Sequence, residues 1–395
     1  MAAGNHDQKY FVKRPESYVQ NKLKNDFSWS DPRGSYSIDA QGNFYNNDER
    51  ELRSLIPNYN SKYGSDLTAG FDPSEKDGRP LDSLLYWIVL NKNTISKTSS
   101  GPGKRLDAEF VFTVGAMRRL LATLFDTDGN YKQPWKMYAI KYNGTIYISS
   151  VKDFTETVGP PQEPKLGCQN RDEELKMISF MGLKFEELIS KLEPGKSQGK
   201  PADRKVDGRQ GFYSVRRGKF GGRHLVLTRA QVDFAENDEY VECKLCPDFY
   251  TGQDEWKFSM YKLRNWWYHM YAANMKQVIY GIRDGPKLKQ VCRIRQSEIP
   301  RQVKNPNLSC PLVIQSALRS WNPMASIGFV DDFLQWLKGI VVEDSHGMDG
   351  GRAVQYVLEW GIRSSFIGYS REEVRMSNFV LLPDWYITEM SAFFG

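Results

Sequence analysis

Apolar positions along the chain repeat at two spacings, and the switches between them mark out the expected elements. Leu81 to Leu90 (LDSLLYWIVL) is an almost unbroken apolar run of helix length, which predicts a buried helix. From Phe110 to Phe125 apolar residues recur at helical spacing, with Arg118 and Arg119 on the outward face. Trp135 to Ile140 and Thr145 to Val151 are instead rich in β-branched and aromatic residues on either side of Asn143-Gly144, a pair that suits a tight hairpin turn. Asp172 to Glu193 returns to helical spacing, with Ile178, Met181, Phe185, Leu188 and Leu192 on one stripe. Strand patterns follow at Leu225 to Phe234 and Tyr240 to Cys246, then a long helix from Asp254 to Met275 and a strand at Val278 to Arg283. A helix at Asn322 to Val341 and a strand at Val354 to Trp360 complete the pattern. Helices mixed with hairpins predict an α/β (α+β) fold of mixed β-sheets flanked by helices.

Residues 1 to 30 are polar with little periodicity and read as a flexible arm, leaving 31 to 395 as a single domain. The stretch 194 to 211 (PGKSQGKPADRKVDGRQG) is rich in glycine, proline and charge, and reads as a surface loop of that domain rather than a linker. Gly101-Pro102-Gly103-Lys104 lacks the spacing of a phosphate-binding Walker loop and a following Ser or Thr, so it too reads as a loop.

Composition narrows the class. With 40% hydrophobic and 26% charged residues, the 395-residue chain can bury a core and is not a disordered chain. Lys and Arg number 54 against 48 acids, and a net charge of +6 gives a mild bias toward polyanions without naming one. The five cysteines are odd in number and the first residues lack the apolar run of a signal peptide. A reducing, intracellular setting, cytoplasmic and/or nuclear, is the expectation. No apolar stretch approaches the ~20 residues that span a bilayer, so no membrane association is expected.

Chemistry concentrates on two neighbouring strand patterns. Side chains alternate along a strand, so Arg229, Gln231 and Asp233 share one face. After the turn Glu236-Asn237-Asp238-Glu239, Tyr240, Glu242 and Lys244 share another. A hairpin brings Asp233, Glu242 and Lys244 together. An Asp followed by Glu-x-Lys on the next strand is the pattern of metal-dependent phosphodiesterases, in which carboxylate oxygens hold Mg²⁺ and the lysine orients water or phosphate. Alone, the pattern is weak, and a cross-strand ion pair on a solvated sheet face is the favoured reading. Arg216-Arg217, with Lys219 and Arg223, either guides a phosphate chain or forms a solvated turn. Trp266, Trp267 and Tyr268 offer faces for base stacking, but Trp267 with Met260, Leu263 and Met270 makes a core stripe, the favoured reading. Cys243-x-x-Cys246 has no second pair and does not predict zinc.

Taken in order, Gly182-Leu183-Lys184-Phe185-Glu186, Gln231-Val232-Asp233, Glu242-Cys243-Lys244 and the run Trp266 to His269 resemble four motifs of the DXO family of RNA 5′-end decapping and exonuclease proteins. Those motifs are Gly-x-x-x-Glu, Glu-x-Asp, Glu-x-Lys and a tryptophan-rich segment ending in glutamine. Ser35 to Ala40, Asp48 to Leu55, Phe110 to Leu121, Ser320 to Pro323 and Leu382 to Tyr386 extend the resemblance over most of the chain. It implies a DXO-like nuclease fold and hydrolysis of triphosphate, incompletely capped or NAD-capped RNA 5′ ends, followed by 5′→3′ degradation. It further implies a divalent cation (Mg or Mn) held by Glu186, Asp233, Glu242 and the Cys243 backbone carbonyl, with Lys244 on the phosphate or water. RNA 5′ ends and an exoribonuclease protein are the implied partners.

Three positions depart from the motifs. Gln231 replaces an acid, His269 replaces the glutamine, and Val114 stands where the family has a substrate-facing arginine. Gln231 brings no charge to a metal, and Val114 has no fork for a phosphate. His269 keeps a hydrogen-bonding group for substrate. These losses imply weakened metal binding and weak or lost decapping and exonuclease hydrolysis, as in a pseudoenzyme that still recognises 5′ ends. The alternative is a fully active decapping and deNADding hydrolase with a shifted substrate preference.

Overall fold

Runs such as Phe110-Val111-Phe112, apolar at every position, call for a strand covered on both faces, and the larger of two main sheets provides it. The computed structural model describes residues 9–19, 28–72, 82–98, 104–125, 134–150, 168–192, 210–305, 307–342, 352–361, 364–375 and 381–394. Most of the expected loop at 194 to 211, and residues 101–103 of the glycine-rich tract, lie outside these. The larger sheet has ten strands, in the order Lys9–Phe11, Phe366–Arg375, Arg352–Trp360, Trp135–Tyr142, Thr145–Ser150, Phe110–Thr113, His224–Val232, Gly211–Phe220, Ser28–Ile38 and Phe44–Asn46. Phe110–Thr113 runs parallel to both its neighbours, which makes the sheet mixed. A six-stranded sheet runs Ser190–Leu192, Arg53–Leu55, Phe234–Glu236, Glu239–Pro247, Gln277–Asp284 and Lys287–Arg295.

Three apolar clusters hold these layers. One face of the large sheet sends Phe110, Phe112, Phe212 and Val226 into a cluster with Met117, Trp266, Trp267 and Phe329 from three helices. Its other face packs Val111, Tyr147 and Tyr213 against Trp87 of the helix Asp82–Asn91 and Tyr386 of the helix Asp384–Phe394. The smaller sheet buries Phe234, Val241 and Ile279 against Met181, Phe185 and Ile189 of the helix Arg171–Ile189. From its reverse face, Val278 and Ile282 join the first cluster, so the helix Arg264–Ala273 packs into a core that both sheets share. Among the described residues, no helix is long and apolar enough to cross a membrane.

Several expectations hold and several shift. Asn143 (φ 44°) and Gly144 (φ 75°) make the turn between Trp135–Tyr142 and Thr145–Ser150. The segment Phe110 to Phe125 divides: four residues form a strand, and Thr113 then caps the helix Val114–Thr123 by accepting from the Ala116 N–H. Arg118 and Arg119 are half-buried rather than outward, and Arg118 Nη1 donates to Asn265 Oδ1 at 3.1 Å. The Arg171–Ile189 helix buries Phe180, Met181, Phe185 and Ile189, while Ile178 is exposed and Leu192 belongs to the strand that follows. Leu192 leaves the stripe because the chain from Ser190 onward pairs as a strand with Arg53–Leu55. The long helix contains a π-helical turn at Phe258–Leu263, between Gly252–Lys257 and Arg264–Ala273. Within the expected flexible arm, residues 9–19 are docked. Lys9–Phe11 pairs with the strand Phe366–Arg375, and Tyr18 of Pro15–Val19 sets its ring 5.6 Å from that of Phe329. Two buried tyrosines, Tyr10 and Tyr18, anchor a segment whose polar composition conceals them.

Candidate active site

The site forms where the chain passes from one sheet to the other. His224–Val232 ends in the large sheet, Phe234–Glu236 begins in the smaller one, and Asp233 is the single residue between them. The sequence pattern read this as one strand; the structure breaks it at the residue with the candidate chemistry. Asn237 (φ 50°) and Asp238 (φ 63°) then turn the chain so that Phe234 pairs with Val241 and Glu236 with Glu239. Extending this register sets Asp233 beside Glu242, and Asp233 Oδ2 accepts from the Cys243 N–H at 2.6 Å. Lys244 Nζ donates to Glu242 Oε1. The hairpin therefore assembles Asp233, Glu242 and Lys244 as alternation requires.

Two helices complete the cluster. Burial of Phe185 against the smaller sheet brings the next residue, Glu186, close enough for its charge to act on Asp233. Burial of Trp266, Trp267, Tyr268 and Met270 fixes the Arg264–Ala273 helix, and His269 Nε2 comes to 3.1 Å from Glu242 Oε2. The aromatic run is core, as its spacing favoured. The Glu242 side chain is 3% exposed whereas Lys244 and His269 keep 31% and 27%, so the cluster opens to solvent past those two residues.

Burial, reinforced by the charges of Glu186 and Glu242, pushes the Asp233 carboxyl well above its usual range. Glu242 moves the other way: burial opposes its charge, but His269 and Lys244 pull it down to about 2. Burial pushes His269 below its ordinary value despite the pull of Glu242, so Lys244 is the lasting cation at neutral pH. Lys244 is itself raised, since Glu242 and Asp233 outweigh the cost of burying its charge.

Three acids thus meet one lasting cation. Glu242 Oε2 is buried with no well-aligned hydrogen bond, and its near neighbour is His269 Nε2 in an ion-pair contact at 3.1 Å. An unsatisfied buried carboxylate oxygen and an acid repelled by two others are what a divalent cation would relieve, so the donor set fits a metal chemically. Among the described residues, no three His, Cys, Asp or Glu side chains are already drawn together at metal-holding positions. The Cys243 thiol points into the third apolar cluster and Cys246 into the first, and burial raises both.

The remaining expected positions separate. Gln231 pairs in register with Tyr213 and lays its amide over Gly211, where an added Cβ would stand 3.0 Å from Nε2. Val114 is buried in the first apolar cluster and presents nothing to a phosphate. Arg216 and Arg217 are not part of a basic turn; they lie within Gly211–Phe220, where the pleat sends them to opposite faces. Arg216 sits over the Tyr240 ring at 5.2 Å, next to the hairpin, whereas Arg217 is committed to Asp107 at 2.6 Å. Arg118, which the sequence placed in solvent, lies close enough for its charge to act on His269. Nothing in its spacing signalled this, because the contact comes from packing between two helices.

A family model described as RAI1 like PD-(D/E)XK nuclease matches residues 31–387. The chain belongs to this family. The Asp233 and Glu242-Cys243-Lys244 of this RAI1-like chain follow the order that the family's description spells out. It is 24% identical over 374 residues to the decapping and exoribonuclease protein of Rattus norvegicus, covering 91% of this chain and 84% of the relative. Among solved structures, Scheffersomyces stipitis Rai1 in complex with (3′-NADP)+ and calcium ion superposes with a TM-score of 0.68 at 17% identity, covering 94% of this chain and 98% of the other. Candida albicans Rai1 in complex with pU5-Mn²⁺ gives a TM-score of 0.68 at 19% identity, covering 91% and 95%. The DXO-like nuclease fold is therefore the fold of this chain.

Proposed function

We propose that this RAI1-like chain recognises RNA 5′ ends at the Asp233–Glu242–Lys244 site and hydrolyses them weakly or not at all. Relatives named as decapping and exoribonuclease proteins, and a Rai1 complex holding pU5 and Mn²⁺, support RNA 5′ ends as the ligand. The complex with (3′-NADP)+ supports NAD-like caps among them. The observation that carries attenuation is the state of Glu242. Lys244 already engages one oxygen, and the neutral Gln231 leaves the site one acid short of the family motif.

On this reading Glu186, Asp233 and Glu242 would hold a divalent cation, Mg or Mn, with the Cys243 carbonyl nearby. Such a cation would neutralise the acids and polarise a phosphate oxygen or water. Lys244, with His269, keeps Glu242 ionised, and its partly exposed ammonium can donate to a phosphate oxygen entering the site. His269 lines the same opening and can hydrogen-bond substrate. Arg216, held on Tyr240 beside the hairpin, adds positive field for an RNA backbone, whereas Arg217 is spent on Asp107. A missing metal carboxylate and a missing phosphate donor each raise a barrier by several kcal/mol, and ~1.4 kcal/mol is tenfold in rate. An exoribonuclease partner rests on the same resemblance, a cytoplasmic or nuclear location on the few cysteines and the polar first residues, and the single domain is proposed to take in the docked residues 9–19.

The retained Glu186, Asp233, Glu242 and Lys244 favour one other reading, a fully active decapping and deNADding hydrolase with shifted preference. Incubation with 5′-NAD, 5′-triphosphate and 5′-monophosphate RNAs, with Mg²⁺ or Mn²⁺, separates the two by scoring cap release and shortening alongside RNA binding. Salt-sensitive binding with little product is the expected result. Robust turnover that Asp233→Ala abolishes would establish the active reading. Absence of RNA binding at low salt would remove both.

A further inference from the structure

Glu242 Oε2 and His269 Nε2 form an unusual pair: a buried carboxylate oxygen with no well-aligned hydrogen bond, and a ring nitrogen 3.1 Å away that meets it as an ion-pair contact. The other oxygen, Oε1, is already taken by Lys244. Two donor atoms about 2.1 Å from a common ion stand about 3.0 Å apart at an octahedral right angle and about 3.4 Å at a tetrahedral angle. The observed separation lies between these values, so the two atoms are spaced as neighbouring ligands.

The helix that carries the ring is also held in place. Tyr268, one residue earlier, is buried and accepts from Trp321 Nε1 at 2.7 Å and from the Ser326 hydroxyl at 3.3 Å. Asn265, one turn earlier, accepts from Arg118 and donates to the Tyr261 carbonyl at 2.8 Å. The helix therefore presents His269 from a fixed backbone.

We propose that His269 is a metal ligand alongside Glu242, which makes the site a mixed nitrogen–oxygen centre selective for Mn²⁺ or Co²⁺ over Mg²⁺. Imidazole nitrogen binds the borderline transition ions well, whereas Mg²⁺ prefers an all-oxygen shell. The neutral Gln231 favours the same outcome, since it lowers the negative charge on which a hard ion depends. The inference rests on the metal-dependent reading above but is tested by binding and spectroscopy rather than by turnover.

Calorimetry with Mg²⁺, Mn²⁺ and Co²⁺ on the full chain, wild type and His269→Gln, would be joined by pulsed electron paramagnetic resonance of the Mn²⁺-loaded proteins. Wild type should bind Mn²⁺ and Co²⁺ more tightly than Mg²⁺ and show a ¹⁴N coupling from a coordinated imidazole. His269→Gln should lose that coupling and about tenfold or more in Mn²⁺ affinity, with Mg²⁺ little changed. Tight Mn²⁺ binding by wild type without ¹⁴N coupling would overturn the assignment, as would an unchanged metal series in the variant. Nitrogen coupling in a protein that binds no RNA would uphold the ligand and sink the RNA reading. RNA binding in a protein that takes up no metal would do the reverse.

Discussion

The strand His224–Val232 has a buried acid, Asp331, near one end and a half-buried one, Asp233, at the other, and their surroundings differ in sign. At the His224 end, Asp331 receives two bonds from Arg223, at 2.9 and 2.5 Å, and lies 3.4 Å from His224 Nε2. Glu109 beside it accepts from the Leu225 N–H at 2.9 Å and pairs with Lys338. Gly221 makes room for this arrangement: its φ is +60°, and an added Cβ would fall 2.0 Å from Asp331 Oδ1. At the other end, Asp233 faces Glu186 and Glu242, with Lys244 as the lasting cation. A charge-balanced cluster ties a hairpin tip to the helix Pro323–Ile340, whereas a cluster with surplus negative charge is built to receive a cation. Burial alone does not separate the two; the tally of partners does.

The largest expected effect lies at the balanced end. Arg223→Ala removes the main partner of the buried Asp331 charge and should lower unfolding free energy by about 2 kcal/mol in urea, less than for a fully buried pair because Arg223 is half-exposed. A loss below about 1 kcal/mol would mean that the pair does not secure the hairpin. Asp233→Asn should do the opposite at the other end. We expect Mn²⁺ affinity to fall at least about tenfold, worth ~1.4 kcal/mol, while the metal-free protein gains up to about 1 kcal/mol as repulsion is relieved. Destabilisation of the metal-free variant would contradict the surplus-charge account.

The pH dependence of the metal-free protein sharpens this further. The raised Asp233 carboxyl keeps its proton in the folded state after the unfolded chain has lost it. Stability from this group is therefore full below its ordinary value of 3.8 and declines as pH rises through the folded value. Glu242, held down to about 2, contributes stability above its ordinary 4.5 that is lost as pH falls toward 2. In unfolding measured across pH with EDTA present, Asp233→Asn should remove the decline at rising pH and leave the loss at low pH. A difference between the two proteins that stays constant with pH would refute this. The smallest effect is expected from Gln231→Glu, a gain in Mn²⁺ affinity of a few-fold, about 1 kcal/mol or less. Equal affinities would show that residue 231 does not face the metal.

The candidate site was legible in the sequence wherever its geometry is local. Two-residue alternation puts Asp233, Glu242 and Lys244 on one hairpin, and Asn237-Asp238 tolerates the positive φ angles that close it. Arg216-Arg217 is missed because the pair reads as a basic turn, whereas it lies in a strand, where the same alternation sends the two side chains to opposite faces. Val114 marks a different limit. It occupies the expected phosphate-contact position yet is packed in the core, so Val114→Arg would bury a guanidinium rather than restore a phosphate donor.

By itself, the sequence determined most of the long elements, the hairpin chemistry, the core role of Trp266 and Trp267, and the resemblance that the family match bears out. All of these follow from short-range periodicity, turn residues and motif order. Only the tertiary structure decided that Asp233 sits at the passage between two sheets, that Tyr10 and Tyr18 dock the start of the chain, and that His269 meets Glu242. These depend on how separate helices and strands pack into shared cores. A contact set by the packing of distant segments leaves no periodic trace in the segments themselves.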